Sequence, residues 1–277
     1  MLATVGDLVE DVVVRLGGPI QHGADTAASI SRRRGGSAAN VAAAAARSGR
    51  AARFIGQVGN DPIGTALIDE LRADGVDTGA VRRGGTTGTI VALVDPEGER
   101  SMLTDRRACV DLDDPLPVWL DGVEVLHVPF YSLVVPPLAD TSKTLIGWAR
   151  ERGIVVSVDA SSSSVIEQVG VDRSLRTLTE VGPDILLANR DEARVLDLTT
   201  AFGSAITVLK RGADPVVVLL PAGDRIEVDH DPFDRVVDST GAGDAFAAGF
   251  LTHAPLADPV SACRAGHATA VALLTAR

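Results

Sequence analysis

Asp238-Ser239-Thr240-Gly241-Ala242-Gly243-Asp244 is the stretch whose residue types and spacing could do chemistry. Gly241 and Gly243 carry no Cβ, so the backbone there can turn tightly and approach a ligand closely. The small apolar run from Ala245 to Leu251 reads as the first turns of a helix. The first N–H groups of a helix lack intrahelical partners and lie at the positive end of its dipole, which makes the turn an anion site. Asp244 falls in that first turn, where the dipole favours its ionised form. An anion cradle beside an ionised carboxylate suits deprotonation of a hydroxyl as it attacks a phosphate. The structural alternative is a capped helix, with Asp238, Ser239 or Thr240 as the cap. No Gly-Lys-Ser/Thr occurs, so a Walker-type loop is excluded, and Phe246 stands where a dinucleotide fingerprint needs its third glycine.

The elements that must position this stretch can be read along the chain. Leu2 to Val5 reads as a buried strand ending at Gly6-Asp7, and Val12 to Val14 as a second strand preceded by Asp11. Gly35-Gly36-Ser37-Ala38-Ala39-Asn40 opens an alanine-rich helix, with Ser37 able to cap and Asn40 one turn in. Phe54 to Val58 predicts a strand, and Pro62 opens a helix to about Ala73. Asp95-Pro96-Glu97-Gly98 is a turn between strands at Thr89–Val94 and Arg100–Thr104. With the Val12 strand this hairpin predicts a small sheet outside the main body, placed to cover a site.

From about residue 120, short apolar strands near Val123–Val128, Ile154–Val158, Ile185–Leu187 and Ile206–Leu209 alternate with helical stretches, the pattern of parallel βαβ units. Val216–Leu220 and Arg225–Val228 read as a late hairpin, followed by a last helix over about 259–275. His127 is expected to be a core histidine, while Asp159 ends its strand where ligand groups gather. Asn189 and Glu192 have the spacing of a capping box.

Composition sets the class. At 277 residues there is ample length for a buried core, which must be aliphatic because only 3% of residues are aromatic. A formal charge of −11 argues against a nucleic-acid partner. Arg32-Arg33-Arg34 is the one dense basic cluster and reads as a solvated surface turn. Cys109 and Cys263 match no metal spacing and are expected to be reduced thiols of a cytoplasmic protein. No secretory signal and no apolar run of membrane-spanning length is seen.

Taken together, the segment from Gly35 to Asn40 and the segment from Asp238 to Asp244, about 200 residues apart, resemble the signatures of the ribokinase-like sugar kinases, the PfkB carbohydrate kinase family. The resemblance spans almost the whole chain and implies one ribokinase-like α/β domain over 1–277. Its mostly parallel central sheet would be flanked by helices, with a small β-sheet lid from segments at about 11–34 and 84–106. It implies transfer of the γ-phosphate of ATP to a hydroxyl of a small sugar or related polyol. By the same resemblance Asp244 is the general base, and Gly241, Ala242 and Gly243 supply the anion hole. Asp11, Gly35, Gly36 and Asn40 would hold sugar hydroxyls, and Arg106 or Arg107 a carboxylate or phosphate of an acid sugar. Asn189, Lys210, Gly212 and His267 would serve the nucleotide, with Glu192 and Asn189 organising Mg2+ through water. Asp238 and Thr240 match positions where some relatives bind a monovalent cation such as K+. A homodimer through the lid is also implied. A nucleoside kinase and a vitamin-precursor kinase are the enzymatic alternatives, although Gly35 to Asn40 suits a polyol better than a vitamin precursor. A non-catalytic sugar or nucleotide sensor is the third, and its expected mark, loss of Asp244 or of the glycine turn, is absent.

Overall fold

The computed structural model describes residues 1–230 and 239–275. Its main sheet has nine strands among the described residues: β1 (Leu2–Val5), β4 (Ala52–Val58), β5 (Asp77–Arg83), β8 (Val125–Pro129), β9 (Val155–Asp159), β10 (Ile185–Asn189), β11 (Ile206–Lys210), β12 (Val216–Leu219) and β13 (Arg225–Val228). Their spatial order is β13-β12-β11-β10-β9-β8-β1-β4-β5. All pairings from β11 to β5 are parallel, and β12 and β13 add an antiparallel edge. The chain begins inside the sheet, builds outward through β4 to β5, then returns to the other flank of β1 at β8. This reversal is a topological switch point, where a crevice opens beyond the carboxyl ends of the strands.

Helices cover both faces. α3 (Leu138–Glu151), α4 (Ser163–Val169) and α5 (Val171–Val181) pack on one, with Leu126, Val128, Val156 and Val158 in that core. α1 (Ser37–Arg47), α2 (Pro62–Ala73), α7 (Ala242–Leu251) and α8 (Pro259–Thr275) pack on the other, with Val125, Ile185 and Leu187. Alternate residues of one strand thus enter opposite cores, which is why these strands read as continuous apolar runs. α6 (Arg190–Val195) follows β10 directly. No described helix is long and apolar enough to cross a membrane.

The second sheet contains β2 (Val9–Leu16), β3 (Ala28–Gly35), β6 (Thr89–Val94) and β7 (Arg100–Asp105) in the order β3-β2-β6-β7. The predicted hairpin is β6 and β7, and β2 joins it through a parallel pairing with β6. Arg32-Arg33-Arg34 is not a surface turn but the end of β3, where Arg32 meets Glu10, Arg33 meets Asp11 and Arg34 meets Asp74. Strand β3 was invisible to periodicity because both of its faces are largely polar and exposed. β5 and α4 were likewise not anticipated.

Small residues let α1 approach both the β1–β2 turn and α7. Gly36, just before α1, adopts φ 102°, and a Cβ there would lie 2.1 Å from the Asp7 carbonyl oxygen. Gly36→Ala is therefore expected to cost about 3 kcal/mol through backbone strain and steric overlap. A melting temperature within about 1 °C of the wild type would show that this approach is not constrained.

Candidate active site

The carboxyl ends of β1, β8, β9, β10 and β11 and the start of α7 surround a cleft of about 1520 Å³. Gly241 takes a left-handed conformation (φ 79°) immediately before α7, and no side chain caps that helix. The capping alternative for Ser239 and Thr240 is thus not observed, and Asp238 lies outside the described residues. The Ala242 N–H is used by the Ser239 carbonyl at 3.1 Å. The donors that follow, on Gly243 and Asp244, belong to the first helical turn and have no intrahelical acceptor.

Asp244 is held from the far end of the sequence. Ser37 donates its hydroxyl to Asp244 Oδ1 at 2.7 Å, and Asn40 donates its amide to Asp244 Oδ2 at 2.9 Å. Burial pushes the Asp244 pKa up to about 6, against the lowering effect of those two donors; Asp159 adds to the rise and Lys210 opposes it. A carboxylate with that poise is mostly ionised at neutral pH and still basic enough to accept a hydroxyl proton.

Beside it lies a charged floor. Lys210, ending β11, forms an ion pair with Asp159, ending β9. Burial pushes Glu192 up to about 7, with Asp159 adding repulsion and Lys210 opposing it. Asn189 and Glu192 form the predicted capping box: Asn189 Oδ1 accepts from the N–H groups of Asp191 and Glu192, both at 2.9 Å. Glu192 receives the Asn189 N–H and side-chain amide, both at 2.7 Å. Among the described residues no group of three or more His, Cys, Asp or Glu side chains forms a ready metal centre. Asp159 and Glu192, with Asp244 beside them, nevertheless outnumber the one lysine and leave the site electronegative, which would fit a hydrated Mg2+.

At the opposite end, Arg106 grips Asp7 with two hydrogen bonds of 2.7 Å and stands 5.8 Å from the Tyr131 ring centroid. Its fork is therefore already engaged, and Arg107 pairs with Asp105. Asp11 packs against Gly35, where a Cβ would lie 2.3 Å from its Oδ1. Burial raises the Asp11 pKa, and Arg33 at 3.7 Å opposes the rise. Ile90, Met102 and Thr104 of the small sheet complete this wall. Arg100, at the start of β7, donates to Thr240 Oγ1. Thr240 is one of the two residues expected to hold a monovalent cation, and Asp238, the other, lies outside the described residues.

Gly212, Phe246 and His267 line the remaining end of the cleft. The His267 ring lies edge-on to Phe246 at 5.3 Å and 4.4 Å from that of His230. Burial, with His230 adding, depresses the His267 pKa to about 4, so it is neutral at pH 7. A neutral imidazole beside a phenyl ring suits a planar base.

The cleft thus brings together Asp11, Gly36, Arg106, Asn189, Glu192, Lys210, Gly212, Thr240, Gly241, Ala242, Gly243, Asp244 and His267. Gly35 and Asn40 stand behind that lining, against Asp11 and Asp244. Ser37 was read as a cap, and its contact with Asp244 depends on tertiary packing that no local pattern reports. Asp159 was marked by its place at a strand end, but its pairing with Lys210 was not.

The description "pfkB family carbohydrate kinase" matches residues 1–277. The chain is 33% identical over 241 residues to a fructokinase from Escherichia coli, covering 79% of this chain and 76% of that protein. It is 34% identical over 240 residues to an ATP-dependent ribose-1-phosphate kinase from Halopiger xanaduensis, covering 82% and 76%. Its fold is similar to that of the adenosine kinase from Sinorhizobium meliloti, with a TM-score of 0.83, 26% identity and coverage of 99% and 93%. It is also similar to a sugar kinase from Pyrococcus horikoshii in complex with ATP, with a TM-score of 0.85, 22% identity and coverage of 100% and 93%. With the two signatures meeting at one carboxylate and a family match along its whole length, the chain belongs to the pfkB family of carbohydrate kinases, on a ribokinase-like fold.

Proposed function

We propose that the protein transfers the γ-phosphoryl group of ATP to a hydroxyl of a small sugar or related polyol. Asp244 is the general base. The observation that carries this reading is the Asp244 carboxylate held by Ser37 and Asn40 at the floor of the cleft, in the first turn of α7. The fructokinase and ribose-1-phosphate kinase relatives support the acceptor class. A nucleoside acceptor is the second reading, favoured by the likeness to an adenosine kinase.

The acceptor lies between Asp11 and Asp244, where the aspartates accept its hydroxyl hydrogens. As the hydroxyl oxygen attacks the γ-phosphorus, its proton passes to Asp244, and the bond to the β-phosphate oxygen breaks. The loose transition state places charge on the phosphoryl oxygens, so fixed donors matter more than covalent chemistry. The N–H groups of Gly241 and Gly243 and the Lys210 ammonium supply them. Asn189 and Glu192 would hold Mg2+ through water, and the ion would supply neutralisation of phosphate charge. Gly212, Phe246 and His267 hold the adenine.

The small sheet is the lid. Its cleft face carries Ile90, Met102 and Thr104, and Arg100 reaches Thr240 beside the anion turn. Register places Val12, Val14, Ile30, Val91, Leu93 and Leu103 together on the opposite face. Ile30 and Leu103 are respectively 63% and 57% exposed there. An aliphatic patch on a charged chain marks a protein contact, and a second copy of this lid is its occupant in our reading.

ADP release should be measured with Mg-ATP across pentoses, hexoses, sugar acids, sugar phosphates and nucleosides. Activity on one class, reduced at least about a hundredfold by Asp244→Asn, is the expected outcome. Near-wild-type transfer by Asp244→Asn would sink the assignment. Shortening the hairpin tip at Pro96 should raise ATP hydrolysis relative to transfer, because water then reaches the site; unchanged coupling would remove the lid role. Leu103→Asp should convert a dimer to a monomer by sedimentation, and an unchanged mass distribution would remove the lid interface.

A further inference from the structure

The cleft holds one arrangement that the reaction scheme does not require by itself. Both oxygens of Asp244 are engaged, each by a different neutral donor, and both donors stand on the first turn of α1 at positions three apart. That spacing puts two side chains on one face of a helix. Their base is rigid, since α1 presents buried Ala38, Ala39, Ala42 and Ala43 to the core and α7 presents Ala247 and Ala248. An ionised carboxylate has about four lone-pair sites. One donor on each oxygen fixes the plane of the group and leaves a lone pair on each side for an incoming hydroxyl.

We infer that Ser37 and Asn40 are a clamp that sets the orientation and basicity of Asp244, each acting as a positioning residue. The Ser37 hydroxyl hydrogen is spent on Asp244 Oδ1, and an Asn40 amide N–H on Oδ2. Neutral donors also suit the task better than cations. A lysine or arginine in direct contact would stabilise the carboxylate by roughly twice as much and depress its proton affinity too far for a base.

The charged groups facing Asp244 from the other elements are Asp159 of β9 and Lys210 of β11. They are paired with each other, so their effects oppose. Arg100 of the lid is directed to Thr240. The two donors of α1 are therefore the adjustable part of the environment, and removing either raises the proton affinity of the base.

The inference rests on Asp244 as the base, so its test has one arm that needs no turnover. The side-chain carboxyl of Asp244 is titrated by carbon-13 NMR in the ligand-free protein, its signal assigned by its loss in Asp244→Asn. Ser37→Ala should raise the titration midpoint by about one pH unit, close to tenfold in proton affinity, and Ser37→Thr should restore it. The second arm follows the pH dependence of kcat and KM for fructose with Mg-ATP, or for whichever acceptor the panel returns. The acid limb should move upward with the midpoint. Above it, Ser37→Ala should lose less in kcat than below it, with KM for the acceptor unchanged. An unmoved midpoint in Ser37→Ala with an unchanged melting temperature overturns the clamp, as does a rate reduced by one factor at every pH. A midpoint that moves in a protein inactive toward every acceptor overturns Asp244 as the base while leaving its environment as described.

Discussion

The contact on which the rest of the structure depends is that between the Asp244 carboxylate and the first turn of α1. Two segments about 200 residues apart must meet within hydrogen-bonding distance, and the polypeptide arranges this by thinning everything between them. α1 is nearly all alanine on its buried face, and α7 is alanine and glycine on its own. Behind α7, α8 comes equally close, because a Cβ at Gly249 would lie 2.5 Å from the Ala265 carbonyl oxygen. A composition with so few aromatic residues thus reflects helices packed backbone against backbone. Larger side chains there would move Asp244 away from its donors before they unfolded the protein.

The floor of the cleft is built on a different principle. Asp159, Lys210 and Glu192 sit where an apolar arrangement of similar volume would be at least as stable, since desolvating charges costs several kcal/mol per ion. Their presence is better explained by what enters than by what folds. Only two of the 26 basic Lys and Arg residues in the chain are lysine. One pairs with Glu180 on the surface, and the other is Lys210. A compact ammonium on a flexible stem can leave one anion for another, which a planar guanidinium engaged on two sides does less readily. Arg106, doubly bound to Asp7 and stacked toward Tyr131, has the static role.

Much of this was legible in the sequence because it is local. The glycine turn before α7, the capping box at Asn189 and Glu192 and the apolar parallel strands each announce themselves within ten residues. β3 did not, since the alternation of Ala28, Ser29, Ile30 and Ser31 gives way to three consecutive arginines. The roles of Ser37, Asp7 and Asp159 were also hidden, as each is defined by a partner from a distant segment. A serine before a helix reads as a cap, and only the approach of α1 to α7 turns its hydroxyl toward a carboxylate. Arg106 shows the same limit: its type suggested an anion ligand, and its pairing with Asp7, about a hundred residues earlier, could not be read locally.

The place of β1 has a consequence for synthesis. β1 is flanked by β4 on one side and β8 on the other, so during synthesis it keeps an open edge until residues 125–129 have followed it. β9, β10 and β11, in contrast, add outward from β8 one at a time in the order in which they are made. The seam between β1 and β8, where the crevice opens, can therefore close well before Asp244 is made. The end of the cleft that carries Asp11 and Arg106 can take shape on the nascent chain before the Asp244 carboxylate exists.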